Sequence, residues 1–193
     1  MNPAQMTFGI LAGGKSRRMG RDKKDLLWQG KTFLGHLIQK GEAAGFGEIL
    51  ISCNQPIETP FPVLGDRLPD RGPLAGLEQL LNASSYEWTL VVSVDTPQLP
   101  TALFWQLSDA VQGGCPMLLK TVDGPQPFPG CYPKRIAKEI APLLKEGGAP
   151  VRALLARTGS RTMSYTGEKL LVQSINTPEE YRALINFGNV VKE

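Results

Sequence analysis

The segment from Leu11 to Lys23 has the composition of a polyphosphate-binding loop. It reads Leu-Ala-Gly-Gly-Lys-Ser-Arg-Arg-Met-Gly-Arg-Asp-Lys. Glycines allow a tight turn that brings backbone N–H groups close to a ligand, and arginine and lysine supply the cations that phosphate oxygens need. Six of the chain's 21 basic residues, but only one of its 18 acidic residues, lie between Lys15 and Lys24. The net charge of +3 is therefore local, which favours a small anionic ligand over nucleic acid.

Two aspartates follow predicted strands, at the edge where open α/β sheets bind their ligands. Asp95 ends the apolar run 89–94, and Asp66 follows the short apolar pair Val63 and Leu64. Magnesium takes one or two carboxylates together with phosphate oxygens, so Asp95 is a candidate metal ligand. Each feature alone has an ordinary explanation: the aspartates as turn or capping residues, and the basic cluster as a solvated loop. Their occurrence on successive strand ends favours a binding site.

Residues 9–16 match the P-loop pattern G-x4-G-K-S literally, but their context differs. The first glycine of a P-loop follows a strand, and its lysine opens a helix. Only eight residues precede Gly9, residues 10–12 have the composition of a strand interior, and Gly20 interrupts the segment that would form the helix. This context disfavours a P-loop. The dinucleotide fingerprint G-x-G-x-x-G is absent, so nicotinamide binding has no support.

Apolar strands and helical segments alternate along the chain, which predicts an α/β protein with a mostly parallel central sheet. Thr32 can cap a helix that Gly45 stops. Thr177, Pro178 and Glu180 form a capping box that predicts the last helix. Strands are predicted at 7–12, 48–53, 63–64, 89–94, 117–122, 127–132 and 170–174, and helices at 33–44, 73–82, 101–111, 136–145, 151–156 and from 178 onward. We expect one domain over residues 1–193.

The composition argues against several other classes of protein. No run of about 18 apolar residues exists, so no transmembrane helix is expected. The amino terminus has no basic segment followed by an apolar one, so no signal peptide is expected. Three distant cysteines and one histidine indicate neither a disulfide framework nor a zinc site. These features indicate a cytoplasmic protein. His36 falls in an ordinary predicted helix, where we expect a structural role.

Five sequence blocks together resemble the molybdenum cofactor guanylyltransferase family, within the Rossmann-like nucleotidyltransferases. The family signature L-A-G-G-x-S-x-R-M-G-x-D-K is matched from Leu11 to Lys23 without an insertion. The other blocks follow in the family's order: Asp66 with Gly-Pro-Leu-Ala-Gly at 72–76, Val-Ser-Val-Asp-Thr-Pro at 92–97, Gln-Pro at 126–127, and Ser-Ile-Asn-Thr-Pro-Glu at 174–179. Ser52 and Ser174 stand where the family often has asparagine, so we expect altered contacts there; Asn54 lies two residues after Ser52.

The resemblance implies a three-layer Rossmann-like nucleotidyltransferase fold and the transfer of GMP from GTP to the phosphate of molybdopterin cofactor, with release of pyrophosphate. Mg²⁺ is the implied metal, and molybdoenzymes or their chaperones are implied recipients of the product. Within this class, the alternatives are a relative that uses CTP on the same pterin and one that acts on a sugar phosphate. Gly13 stands where CTP-using relatives tend to carry alanine, which favours GTP. A P-loop kinase or switch and a non-catalytic nucleotide-binding module are the alternatives from other classes.

The resemblance also implies roles for individual residues. Lys23 and Arg18 would neutralise charge on the leaving pyrophosphate, and Asp95 would hold Mg²⁺, with Asn176 as a second ligand. The backbone between Leu11 and Lys15 would contact phosphates and guanine, and Asp66 would contact the nucleoside. The implied nucleotide-binding set is Leu11, Ala12, Gly13, Gly14, Lys23, Asp66 and Asp95. We expect the pterin side towards the second half of the chain, where the candidates are Lys120, Arg152 and Arg157.

Overall fold

A seven-stranded sheet lies between two layers of helices in the computed structural model, which describes residues 1–14, 19 and 21–190. The strands are β1 (Thr7–Leu11), β2 (Leu27–Trp28), β3 (Lys31–Thr32), β4 (Glu48–Ser52), β5 (Val63–Leu64), β6 (Trp88–Ser93), β7 (Met117–Thr121), β8 (Gly124–Pro133) and β9 (Arg161–Ser164). The helices are α1 (Phe33–Ala44), α2 (Pro73–Ala83), α3 (Thr101–Ala110), α4 (Ala137–Lys145), α5 (Val151–Thr158) and α6 (Pro178–Val190).

The strand order across the sheet is β5-β4-β1-β6-β8-β7-β9, and β2 pairs with β3 in a separate hairpin. β1 pairs in parallel with both β4 and β6, and β5 pairs in parallel with β4. β8 is antiparallel to both of its neighbours, and β9 is parallel to β7. Among the described strands of this sheet, β8 alone therefore runs in the opposite direction. The predicted mostly parallel α/β architecture is confirmed.

Both faces of the sheet are covered because the central strands are apolar on both sides. All five residues of β1 are buried. Phe8 and Ile10 belong to the core on the face of α1 and α3, whereas Leu11 belongs to the core on the face of α2 and α4. Between them, Gly9 lies under α2, where a Cβ atom would come within 3.0 Å of Leu80. This close helix packing holds the carboxyl ends of β1 and β4 beside the start of α2.

The capping signals at the first and last helices are confirmed. α1 begins after Thr32, whose hydroxyl accepts a hydrogen bond from the backbone of Gly35, and it ends at Gly45, which has a φ of 78°. Before α6, the hydroxyl of Thr177 accepts from the backbone of Glu180, and the Glu180 carboxylate accepts from the backbone of Thr177 over 2.9 Å. This reciprocal pair is a capping box.

The predicted strand at 170–174 is wrong. Residues Lys169–Val172 form a 3-10 turn instead, and the carbonyls of Leu170 and Gln173 accept hydrogen bonds from the side chain of Gln98. The sheet ends at β9, which was not predicted because its residues are mostly polar and exposed. The β2–β3 hairpin was also missed, since each strand has two residues. No helix in the described part of the chain has the length and apolar character needed to cross a membrane.

Candidate active site

The predicted site residues lie close together at the carboxyl ends of the parallel strands. In spatial order, Asp66 follows β5, Asn54 follows β4, Gly13 and Gly14 follow β1, and Asp95 follows β6. The beginning of β8 lies next, because this strand runs in the opposite direction to β6. Together these segments line a cleft of about 800 Å³. The cleft lies at the carboxyl ends of the parallel strands, where open α/β sheets bind their ligands.

The glycine turn after β1 is anchored on both sides before it enters the cleft. The amide of Ala12 donates to the carbonyl of Ser52 over 2.9 Å, and the carbonyl of Leu11 accepts from the amide of Val94 over 2.9 Å. Gly14 has a φ of 143°, a conformation that other residues rarely adopt, and a Cβ atom there would meet nothing within 4 Å. The turn therefore presents open backbone to a ligand. Its continuation, including the predicted phosphate ligand Arg18, lies outside the described residues.

Lys23, Asp95 and Asn176 form a polar cluster beside this turn. The Lys23 ammonium donates to the side-chain oxygen of Asn176 over 2.7 Å and lies 3.4 Å from Oδ2 of Asp95. The segments that carry Asp95 and Asn176 are also joined through their backbones, because the amide of Ile175 donates to the carbonyl of Asp95 over 2.8 Å. The structure thus brings the predicted metal ligands and the predicted phosphate ligand to one point of the cleft edge.

The oxygen atoms of this cluster suit a magnesium ion. Oδ1 of Asp95 is buried and has no hydrogen-bond partner in the described part of the chain, so it retains its lone pairs for a cation. Asn176 offers an amide oxygen in addition. Within residues 1–14, 19 and 21–190, no group of three or more His, Cys, Asp or Glu side chains could hold a metal ion. A cation here would therefore need further oxygen ligands, which triphosphate and water supply for Mg²⁺.

Asp66 and Asn54 form a second polar pair at the far side of the cleft. The Asn54 amide nitrogen donates to the Asp66 carboxylate over 2.9 Å, and its oxygen accepts from the Asp66 backbone over 2.6 Å. Burial raises the pKa of Asp66, against hydrogen bonds from Asn54 and the Ser52 side chain that act to lower it. Sequence reasoning gave Asn54 no role. The family often has asparagine at position 52, and in this chain Ser52 and Asn54 both hydrogen-bond to Asp66.

The Gly-Pro-Leu-Ala-Gly block builds the wall between these two clusters. Gly72 has a φ of 72°, and Pro73 opens α2. A Cβ atom on Gly76 would lie 2.5 Å from Oγ of Ser52 and 2.7 Å from Cδ2 of Leu11, so a larger residue would have to displace these two side chains. The first turn of α2 lines the cleft through Gly72, Pro73 and Gly76. The amino end of a helix carries unpaired N–H groups and partial positive charge, which favours phosphate.

The opposite wall comes from the start of β8. Gln126, Pro127 and Phe128 line the cleft there, and the ring of Phe128 packs 6.0 Å from the ring of Tyr132, which is fully buried. The side-chain amide of Gln126 lies 3.3 Å from the hydroxyl of Thr121. This wall adjoins β6, which Asp95 follows, and it presents one aromatic ring to the cleft.

The three cations proposed for the pterin side do not line the described part of this cleft. The Lys120 side chain is exposed on β7, and Arg152 and Arg157 lie on α5. Arg157 lies 3.9 Å from a carboxylate oxygen of Glu146. Their assignment rested on position in the second half of the chain, which does not predict which strand end a residue approaches.

His36 has a structural environment. Its Nε2 atom lies 2.6 Å from the carbonyl oxygen of Trp28, and the two rings pack with centroids 4.7 Å apart. Burial lowers the pKa of His36, and the charges of Lys40 and Lys31 lower it further, against the hydrogen bond to Trp28. These contacts give His36 a structural role, as expected for a histidine in an ordinary helix.

Comparison with known proteins agrees with this geometry. The model of the MobA-like NTP transferase domain matches residues 9–162, which include the glycine turn, Lys23, Asp66 and Asp95. The chain belongs to this nucleotidyltransferase family. The chain is 32% identical over 183 residues to the molybdenum cofactor guanylyltransferase of Xanthomonas euvesicatoria, covering 92% of this chain and 93% of the relative.

Two solved structures share the fold of this chain over nearly their whole length. The molybdopterin-guanine dinucleotide biosynthesis protein A of Archaeoglobus fulgidus superposes with a TM-score of 0.82 at 19% identity, covering 95% of this chain and 98% of that one. A Mycobacterium tuberculosis protein solved as a complex with manganese superposes with a TM-score of 0.70 at 20% identity, covering 94% and 98%. The chain therefore shares the fold of these proteins.

Proposed function

We propose that this protein, as one domain, transfers GMP from GTP to the terminal phosphate of molybdopterin cofactor and so makes the guanine dinucleotide form. The observation that carries the proposal is the cluster of Lys23, Asp95 and Asn176, which lies between the glycine turn and the aromatic wall of β8. The cluster provides a cation and metal-type oxygens at the place where two phosphate-bearing substrates would meet. The names of the relatives support the identity of the two substrates.

GTP binds on the β5-β4-β1 side of the cleft in this proposal. The open backbone of Gly13 and Gly14 and the first turn of α2 donate N–H groups to the phosphates. Asp66 accepts hydrogen bonds from the nucleoside. The Leu11 carbonyl already pairs with Val94, so guanine N–H groups are assigned to the carbonyls that follow it, and Leu11 holds the turn in place. Arg18 keeps its predicted role in neutralising phosphate charge.

Asp95 and Asn176 would hold Mg²⁺, which would supply charge neutralisation of the phosphates at this site. The chain's own residues do the remaining work. Lys23 donates to phosphate oxygens and neutralises the charge that moves onto pyrophosphate. The glycine turn keeps the α-phosphorus in line with the incoming oxygen. Alignment and charge neutralisation are the main contributions that proteins make to such transfers.

The reaction needs no general base from the protein. The acceptor phosphate is already anionic, so one of its oxygens forms the new bond to the α-phosphorus while the bond to the bridging oxygen of the β-phosphate breaks. The leaving group departs as pyrophosphate. The acceptor approaches over the wall formed by Gln126, Pro127 and Phe128, where its planar ring system packs on the phenyl ring.

The test is a transfer assay with four nucleotides. The protein is incubated with Mg²⁺, molybdopterin cofactor and GTP, CTP, ATP or UTP, each labelled at the α-phosphate. Label should enter the pterin product from GTP, with one pyrophosphate released for each transfer. GTP labelled at the γ-phosphate should yield labelled pyrophosphate. Preferential labelling from CTP would contradict the guanylyl assignment, and release of free γ-phosphate without transfer would contradict nucleotidyl transfer altogether.

A further inference from the structure

Lys40 holds the loop that follows Asp95 from outside the cleft. From α1, its ammonium donates to the carbonyl of Pro97 over 2.5 Å and to the carbonyl of Leu99 over 2.8 Å. The same ammonium lies 5.7 Å from the ring centroid of Trp28. Burial lowers the pKa of Lys40 to about 8, so the side chain is still protonated at neutral pH. Lys40 therefore fixes the two residues on either side of Gln98.

Gln98 extends from the same loop in the other direction. Its side chain is buried, with 3% of the residue exposed, and its amide nitrogen donates to the carbonyls of Leu170 and Gln173. Gln173 lies three residues before Asn176. The two hydrogen bonds attach the irregular segment that carries Asn176 to the loop that carries Asp95.

We infer that Lys40 and Gln98 are positioning residues that set the separation of Asp95 and Asn176, and we call the pair the Lys40–Gln98 brace. This inference rests on the proposed function, because it takes Asp95 and Asn176 as the metal ligands. Neither ligand lies in a helix or strand: Asp95 follows β6, and Asn176 precedes α6. Lys40 joins α1 to the loop that carries Asp95, and Gln98 joins that loop to the segment that carries Asn176. The position of one ligand therefore depends on the position of the other.

Both side chains of the brace donate to backbone carbonyls, so only another hydrogen-bond donor could replace either of them. Four carbonyls accept hydrogen bonds from these two side chains. An apolar side chain of similar length would fill the same volume but leave those partly buried acceptors without these partners. The segments would then shift to satisfy the carbonyls, and a metal site is sensitive to such shifts. Loss of residues that orient metal ligands typically costs about 10–100-fold in metal affinity or activity.

Lys134 offers a matched control. Like Lys40, it is partly buried and donates to a backbone carbonyl, that of Ser84, over 2.6 Å. It follows the end of β8, where the backbone pairs with Glu87 just before β6, so it lies at the opposite edge of the sheet from the cleft. Lys134→Met removes a comparable hydrogen bond and comparable charge without touching either metal-ligand loop.

The experiment measures Mn²⁺ binding by electron paramagnetic resonance, with GTP present and no acceptor, in wild type, Lys40→Met, Gln98→Met, Lys134→Met and Asp95→Asn. Hydrogen exchange at the Ile175 amide is measured in the metal-free proteins. Both brace variants should bind Mn²⁺ about tenfold more weakly or worse, and the Ile175 amide should exchange faster. Lys134→Met should match wild type in both. Lys40→Arg, which keeps two donors, should restore most of the affinity.

The outcomes separate the brace from the function it serves. Wild-type Mn²⁺ affinity in Lys40→Met or Gln98→Met, together with weakened binding in Asp95→Asn, overturns the brace and leaves the metal pair standing. Equal weakening in Lys134→Met would show a general loss of stability and would also overturn it. Wild-type affinity in Asp95→Asn would refute the metal pair itself. If one brace variant does not fold, the other decides by the same criteria.

Discussion

Lys23 donates a hydrogen bond to the side chain of Asn176 over 2.7 Å, although 153 positions separate the two residues in the chain. The contact joins the 3-10 turn Lys23–Asp25 to the segment before α6. Because the same ammonium lies 3.4 Å from Oδ2 of Asp95, the lysine bridges the two side chains that we assign to the metal. We infer that binding of a magnesium triphosphate exchanges this bridge for contacts between Lys23 and phosphate.

Replacing Asp95 with asparagine should abolish guanylyl transfer and leave the fold intact. The variant keeps the size of the side chain but removes the charge that attracts Mg²⁺. We expect kcat to fall by about 10³-fold or more, equivalent to ~4 kcal/mol in the barrier. Pyrophosphate release under saturating GTP measures kcat, and thermal melting checks the fold. The control is Asp123→Asn, which removes an exposed carboxylate paired with Lys169. Near-wild-type turnover in Asp95→Asn would remove the metal assignment.

Lys23→Ala should lower kcat/KM for GTP by about 10²-fold, or ~2.7 kcal/mol, because charge on the departing pyrophosphate loses its counter-ion. Lys24→Ala is the matched control. The Lys24 ammonium contacts Asp22 and Asp25 instead of the metal cluster, so its loss should lower stability more than activity. Steady-state kinetics with both variants would distinguish the two lysines. An unchanged kcat/KM in Lys23→Ala would contradict its assigned contact with phosphate.

Asn54→Ala should weaken GTP binding in a pH-dependent way. Burial raises the pKa of Asp66, and the Asn54 hydrogen bond acts in the opposite direction, so its removal should raise that pKa further. Protonated Asp66 accepts nucleoside hydroxyls poorly. As pH falls, the KM for GTP should therefore begin to rise at a higher pH in the variant than in wild type, with kcat changing little. KM profiles that coincide in the two proteins would argue against a nucleoside contact by Asp66.

Glu48 should stabilise the fold at neutral pH but not in acid. Burial acts to raise its pKa, but hydrogen bonds from Thr7 and Ser85 and the charge of Lys134 outweigh it, and the pKa is lowered overall. A lowered carboxyl pKa adds stability above the unfolded value, and this stability is lost as pH falls through the folded pKa.

Glu48→Gln should therefore lower Tm at pH 7 and have a smaller effect as pH falls through the lowered pKa of Glu48, below which the wild-type carboxylate is also protonated. Melting curves across this range measure the difference, and Glu42→Gln, on the exposed side of α1, serves as the control. A Tm difference that does not change with pH would mean that packing, not charge, accounts for the effect. Guanylyl transfer should be retained, since Glu48 lies at the start of β4, away from the cleft.

Local signals predicted much of the fold. The cap at Thr32, the stop at Gly45 and the box at Thr177 each depend on residues within one helical turn, so sequence alone sufficed. The strand prediction at 170–174 was wrong because of a tertiary contact. The side chain of Gln98 donates hydrogen bonds to two carbonyls that would otherwise pair with a neighbouring strand. β9 went unnoticed because an exposed edge strand needs no apolar alternation.

The candidate site was predictable in its order along the sheet but not in its contacts. Motif spacing placed Asp66 and Asp95 on strand ends, and parallel strands end at one edge. The pairing of Lys23 with Asn176, and of Asn54 with Asp66, depends on how loops from distant parts of the chain meet. No periodic sequence pattern predicts such contacts between loops. Because serine occupies position 52, nothing in the sequence indicated that Asn54 contacts Asp66.

The position of the metal distinguishes the proposed site from any other in the cleft. Crystals grown with Mn²⁺ and a non-hydrolysable GTP analogue would show the metal by its anomalous scattering. We predict a peak about 2 Å from Oδ1 of Asp95, beside Asn176, with Lys23 turned from these oxygens onto phosphate. A metal bound to the triphosphate elsewhere in the cleft, with the Lys23 bridge to Asp95 and Asn176 intact, would contradict the central claim.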